Sequence, residues 1–227
     1  MRLSELFSAG CLLASGLLAG CAAGPPPITV YQDSQHYVRL QVDPRAGDGH
    51  NHPATLSPAQ VEAILRGIRV KGNDVIIGFG LLSNKDHGPA FSATQITTLA
   101  PYLSQALKKA SPVDLATFYI VGQGQGPLIT SGGIFVRNNH AYVIMANVRT
   151  SPSTVQYESN YEPSTKDEPL LPLTRFKYTT LFDPPEAQLP TIQAQQADGY
   201  SGYLDEAKLV VVDLARLFGR PTPPAAQ

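Results

Sequence analysis

Asp48, His50 and His52 lie close together in the chain, and two histidines with a carboxylate supply ligand types that a divalent metal takes. The His-x-His spacing has no fixed helical register and no third strong ligand beyond its loop neighbours. A solvated loop accounts for it equally well, and no metal site is assigned. Ser131-Gly132-Gly133 sets a hydroxyl beside two glycines, but without the Gly-x-Ser-x-Gly elbow of an activated nucleophile. The preferred reading is a serine inside a strand, with Gly132 and Gly133 permitting a bulge or a close backbone approach. Gly122-Gln123-Gly124-Gln125-Gly126 follows a predicted strand, yet Pro127 and another strand come next, where a phosphate-binding loop would open a helix. It reads as a flexible β-connection. Both cysteines, Cys11 and Cys21, sit at the extreme N-terminus. The rest of the chain therefore has no thiol for a disulfide, a zinc site or a nucleophile. No catalytic, cofactor-binding or metal-ligating residue is assigned, and no cofactor is expected.

The chain has 227 residues, 43% hydrophobic and 15% charged, which suits one globular domain of ordinary core content. A formal charge of −1 without a basic cluster argues against nucleic-acid binding, which needs cations to displace counterions from phosphates.

Arg2 and the amino terminus give a positive start, and residues 6–20 follow as an apolar stretch broken only by small polar residues. A bilayer-spanning helix needs about 20 apolar residues, so this shorter segment reads as the core of a secretion signal. It ends in Leu18-Ala19-Gly20-Cys21, which resembles the lipobox of bacterial lipoproteins: an aliphatic residue, two small residues, then cysteine. The resemblance implies cleavage before Cys21, a diacylglycerol thioether on its sulfur and acylation of the new amino terminus with chains of the palmitate kind. One acyl chain holds a protein only marginally, at about 0.8 kcal/mol per buried CH₂, whereas several on one cysteine anchor it stably. In Gram-negative lipoproteins an aspartate after the cysteine commonly signals inner-membrane retention. Ala22 stands there instead, so the resemblance favours the outer membrane, facing the periplasm. Residues 21–27 form the lipidated start and a tether, because consecutive prolines favour an extended spacer.

Residues 37–42 alternate Val38, Leu40 and Val42 with Tyr37, Arg39 and Gln41, the pattern of a half-buried strand. A polar loop over 43–53 leads into a helix with Ser57 at the N-cap, Pro58 at N1, Gln60 closing a capping box, and Leu56 stapled to Val61. Val61, Ile64, Leu65 and Ile68 make its apolar stripe. The same signature recurs at Phe91-Ser92-Ala93-Thr94-Gln95-Ile96, with strands expected at 75–79 and 117–121 after the two helices. This grammar fits either two related helix–strand units or two ordinary capping boxes. Pro101 is expected to kink or restart the second helix. Residues 128–150 are the clearest hairpin, turning at Asn138-Asn139, where asparagine tolerates positive φ. Their near-continuous apolar content predicts central strands covered on both faces by the two capped helices.

Residues 151–172 carry Pro152, Pro163, Pro169 and Pro172 with Tyr157 and Tyr161, and read as a long surface loop and a partner-contact candidate. Phe176, Tyr178, Thr180 and Phe182 alternate as a further strand. Leu204, Ala207, Val211, Leu214 and Phe218 follow 3-4 spacing, predicting a C-terminal helix stopped by Gly219 and Pro221.

The division that follows is a signal at 1–20, a lipidated tether at 21–27, one α+β domain at 28–219 and a loose tail at 220–227. The domain is expected to hold an antiparallel or mixed sheet with two or three helices mainly on one face. The leading functional expectation is a non-enzymatic envelope lipoprotein that binds or scaffolds a protein partner. The alternatives are a periplasmic hydrolase using Ser131 or a metal near His50 and His52, and a carrier of a small ligand.

Overall fold

The computed structural model describes residues 25–72, 87–124, 126–151, 166–173, 178–200 and 208–219. The expected signal at 1–20, Cys21, the expected tail at 220–227 and the expected strand at 75–79 lie outside them. The chain opens with β1 (Ile28–Gln32), β2 (His36–Val42), α1 (Pro58–Gly67), β3 (Ile68–Gly72), β4 (His87–Pro89) and α2 (Ala93–Lys109). There follow β5 (Asp114–Gly124), β6 (Gly126–Arg137), β7 (His140–Thr150), β8 (Tyr178–Phe182), β9 (Gln188–Leu189), α3 (Thr191–Asp198), β10 (Leu209–Asp213) and α4 (Leu214–Phe218). A seven-stranded sheet runs β1-β2-β5-β6-β7-β10-β9, and a three-stranded sheet runs β4-β3-β8. All pairings are antiparallel, so the fold class is α+β.

Local chemistry explains the long central strands. Asn138 and Asn139 adopt φ of 49° and 62°, so the β6–β7 turn has the primed geometry that matches strand twist, and Arg137 pairs with His140 across it. On one face of the sheet, Phe118, Ile134, Val136, Val143, Met145 and Val212 pack into one core with Val61, Ile64 and Leu65 of α1 and Leu99, Leu103 and Leu107 of α2. Both helices begin with the expected capping box. Ser57 Oγ accepts from the Gln60 N–H at 3.2 Å while Gln60 Oε1 accepts from the Ser57 N–H at 2.9 Å, and Ser92 and Gln95 repeat this at 3.2 and 2.8 Å. The strand expected to complete the first unit, at 75–79, lies outside the described residues. The strand directly after α1 joins the small sheet and the strand after α2 joins the large one.

The expectation that the two capped helices cover both faces is corrected: they cover one, and other parts of the chain cover the second. Leu115, Phe135, Tyr142, Ile144, Leu209 and Val211 pack there with Ala194 of α3 and with Tyr200, while Tyr37, Tyr119 and Ile129 pack with Leu173. Residues 166–173, assigned from sequence to a surface loop, therefore form a strap over the sheet, with Pro169 and Leu173 buried.

Two further expectations are corrected. Helix α2 is one helix from Ala93 to Lys109, so the expected restart at Pro101 does not occur. Proline there removes one N–H, and both Pro101 and Thr97, whose carbonyl loses its partner, are exposed to water. The expected C-terminal helix is half strand in its described part: β10 enters the sheet between β7 and β9, with Val210 and Val212 facing one core and Leu209 and Val211 the other. β-Branched residues suit that doubly buried position. The α4 part of it is helical as expected, started by Asp213, whose Oδ1 accepts from the N–H groups of Ala215 and Arg216 at 2.9 and 3.1 Å.

Candidate functional site

Four strands bring Tyr37, Tyr119, Ser131 and Asn147 into one cross-strand row, each paired in register with the next. A bulge makes the row possible. Tyr142 and Ile144 of β7 face the strap side and Met145 the helix side, so an unbroken strand would turn Asn147 toward the helices. The register shifts between Ser131 and Gly132, inserting Ala146 and re-aiming Asn147 to the strap side. Gly132 is required at that shift, because a Cβ there would lie 1.9 Å from the Ile144 carbonyl oxygen. A second irregularity follows, with Arg149 at φ 47° and its N–H bonded to Thr130 Oγ1 at 3.1 Å.

The row meets the strap through polar contacts. Ser131 Oγ donates to the Pro169 carbonyl at 2.7 Å and accepts from Asn147 Nδ2 at 2.9 Å. The Asn147 amide also donates to the Leu171 carbonyl at 2.9 Å, and its oxygen accepts from the Leu173 N–H at 2.8 Å. Tyr37 donates its hydroxyl to the Lys166 carbonyl, and its ring stacks on Tyr119 at 5.5 Å. Ser131 is therefore a buried structural hydroxyl whose described partners are a carbonyl and an amide, with no histidine among them.

Further along the same face lies a second polar cluster, built of two aspartates that each gather a tyrosine and a histidine. Asp43 accepts from His50 Nε2 at 3.1 Å, from the Tyr200 hydroxyl at 3.2 Å and from the Arg45 N–H at 2.9 Å. Asp198 accepts from the Tyr142 hydroxyl at 2.5 Å, from His140 Nδ1 at 2.8 Å and from Asn138 Nδ2 at 3.1 Å. The rings interlock: His50 stacks on Phe135 at 4.0 Å, Phe135 on Tyr142 at 4.8 Å, and Tyr200 stands edge-on to Tyr142 at 5.6 Å. Buried Arg137 ties the periphery together, donating to the carbonyls of Asp198, Ala46 and Gly199 at 2.5, 2.7 and 3.3 Å.

The electrostatics close this cluster. Burial alone would raise the pKa of each aspartate, but the donors outweigh it, with His50 first at Asp43 and Tyr142 first at Asp198, and both carboxyls titrate below their usual range. Burial, then the neighbouring carboxylates, push the tyrosine hydroxyls of 142 and 200 well above their ordinary value. At neutral pH the aspartates are ionised, the tyrosines keep their protons and each of the two carboxylates accepts three hydrogen bonds.

Of the three residues weighed as metal ligands and not assigned, His50 and His52 are buried and Asp48 is exposed. Among the described residues no group of three or more histidines, cysteines, aspartates or glutamates is placed to hold a metal ion. His52 serves the fold instead: its Nε2 accepts the Val136 N–H at 3.1 Å. That acceptor role requires a neutral ring, and burial, helped by nearby His50, lowers its pKa to about 4. The glycines of 122–126 sit in the β5–β6 hairpin, where Gly124 pairs with Gly126. Sequence reading missed Asp43, Asp198, Tyr142, Tyr200, His140 and Asn147. Asn147 had a usable signal, since a polar amide inside an apolar run that is buried on both faces must find partners. Asp43 and Tyr200 had none, being 157 residues apart.

Among the described residues no helix is long and apolar enough to cross a membrane. Comparison with protein-family models, curated proteins and solved structures yields no match.

Proposed function

We propose that this chain is a lipid-anchored cell-envelope protein, held at the outer membrane by acylated Cys21, whose α+β domain faces the periplasm, binds a protein partner and catalyses no reaction. The observation that carries this reading is Leu18-Ala19-Gly20-Cys21 at the end of a short apolar leader with a positive start. The state of the polar groups supports the non-enzymatic part. Ser131 is bonded to a carbonyl and an amide, and the two buried aspartates each accept three hydrogen bonds from within the chain. Protein is favoured over nucleic acid as the partner because the chain carries a net charge of −1.

Metabolic labelling with an alkynyl fatty acid, followed by mass spectrometry of the mature N-terminus, tests the anchor. The expected result is a labelled protein that begins at an acylated Cys21, with the label lost in Cys21→Ala. An unlabelled protein, or a mature start elsewhere, overturns it. Crosslinking in intact envelopes tests the partner by comparing the native chain with Cys21→Ala. A reproducible adduct confined to the anchored form is expected, and no adduct with either form removes the binding role.

A further inference from the structure

The hydrogen bonds from the sheet to residues 166–173 end on main-chain atoms. Tyr37 reaches the Lys166 carbonyl, Gln41 the Asp167 carbonyl at 3.4 Å, Ser131 the Pro169 carbonyl, and Asn147 both the Leu171 carbonyl and the Leu173 N–H. At the exposed rim, Arg39 adds an ion pair with Asp167 at 3.6 Å. The Asn147 amide is the most informative contact. By joining the carbonyl before Pro172 to the N–H after it, a single side chain copies the pair of bonds that one residue of a parallel strand makes to its neighbour. Pro172 lies between these groups, has no N–H to satisfy and is exposed, so water can reach its carbonyl.

The rest of the surface fits a short apolar turn. Leu171 N–H bonds to the Glu168 carbonyl at 3.0 Å, closing a β-turn with Pro169 at its second position, where proline is favoured. Leu170 lies over Gly133, where a Cβ would come within 3.3 Å of its Cδ2. Leu173 fills a pocket of Tyr37, Tyr119 and Ile129. A surface that reads backbone polar groups and takes up the apolar side chains of Pro169, Leu170 and Leu173 has the chemistry of peptide recognition.

We infer that the row Tyr37–Tyr119–Ser131–Asn147 is a peptide-binding site occupied in cis by residues 166–173, and that a proline- and leucine-rich turn of a protein partner binds there by displacing them. The identity of the occupant as a partner rests on the function proposed above; the existence of the site does not. Because the contacts are mostly to main chain, an incoming segment needs the turn and the apolar side chains rather than the whole sequence of the strap.

The test uses the full chain, purified in detergent, with residues 166–173 replaced by a glycine–serine segment of equal length. The probe is a fluorescent peptide Lys-Asp-Glu-Pro-Leu-Leu-Pro-Leu, titrated by anisotropy. Saturable binding to the replaced chain is expected, with at least tenfold weaker binding to the native chain, whose site is filled, and a similar loss when Asn147→Ala is added to the replaced chain. A folded replaced chain that does not bind, or that binds equally well without Asn147, overturns the inference. If the replaced chain does not fold, hydrogen exchange on the native chain decides. The inference expects the Leu173 N–H to exchange by local opening, at least a hundredfold faster than the Val143 N–H in the central sheet. Equal protection of the two would make the strap a permanent part of the core and refute displacement. The titration reads this site alone and the envelope crosslinking reads partner binding, so either can fail without the other.

Discussion

Replacing Asn147 by alanine removes the donor to the Leu171 carbonyl, the acceptor for the Leu173 N–H and the donor to Ser131 Oγ in one step. A buried group left without its partner costs about 1–3 kcal/mol, so Asn147→Ala is expected to lower stability by about 2–4 kcal/mol in denaturant unfolding. Asn147→Asp is expected to do at least as much harm, because a carboxylate accepts at both oxygens and would face the Leu171 carbonyl with no donor. Equal stability of native chain and alanine variant would show that the strap is held by packing alone. The two neighbouring glycines provide a sharper contrast. A Cβ on Gly132 meets a backbone oxygen at 1.9 Å, which cannot move without breaking the β6–β7 ladder, whereas one on Gly133 meets Leu115 Cδ1 at 2.4 Å, the end of a flexible side chain. Gly132→Ala is therefore expected to cost on the order of 4 kcal/mol or to prevent folding, and Gly133→Ala about 1–2 kcal/mol. Thermal unfolding of the pair checks the order.

The β6–β7 turn places both asparagines in the left-handed region, yet only Asn138 uses its side chain elsewhere, donating to Asp198. Asn139→Gly is expected to leave stability unchanged or raise it by a few tenths of a kcal/mol, whereas Asn139→Val should lose about 1–2 kcal/mol through forced positive φ. Chemical denaturation of the two variants measures the difference, and a valine variant as stable as the native chain would remove the turn from the causes of this register. Elements like this one were legible because their chemistry is local: the Asn-Asn turn, the Ser57 and Ser92 caps and the alternation in β2 each depend on residues a few positions apart. β10 was not, since Val211, Leu214 and Phe218 keep helical spacing by coincidence, while the slot between β7 and β9 that claims the valines is built by distant parts of the chain. The candidate site was half legible. Ser131 and its glycines pointed to a bulge or close approach, and both occur there. The purpose of that bulge, turning Asn147 toward the strap, depends on a phase change in β7 that no periodicity announces. The tyrosine–aspartate–histidine cluster assembles from the 43–53 loop, the hairpin and the end of α3, so it exists only once the sheet does.

Across the molecule, the buried ionisable groups set the pH range in which the fold holds, and their signs can be worked out one by one. His52 accepts a backbone N–H and must stay neutral, so its pKa falls from 6.5 to about 4 on folding. The unfolded chain takes up that proton first, and stability is lost as pH drops from about 6.5 toward 4. A difference of that size is worth on the order of 3 kcal/mol at most. Asp43 and Asp198 titrate below the usual 3.8, so their contribution survives this window and is lost only at more acid pH, as they are protonated in the folded state. Tyr142 and Tyr200 are shifted upward from 10.0, so their contribution is complete below that value and is lost as the unfolded tyrosines ionise above it. The expected profile is a plateau between about pH 6.5 and 10 with a fall on each side, and the first acid step belongs to His52. Glutamine at that position can accept the Val136 N–H through its side-chain oxygen and does not titrate. His52→Gln should therefore keep the plateau and flatten the fall between pH 6.5 and 4, leaving the steeper loss below it unchanged. Denaturant midpoints at half-unit pH steps for the two chains test this, and an identical slope in both would transfer the acid step to another group.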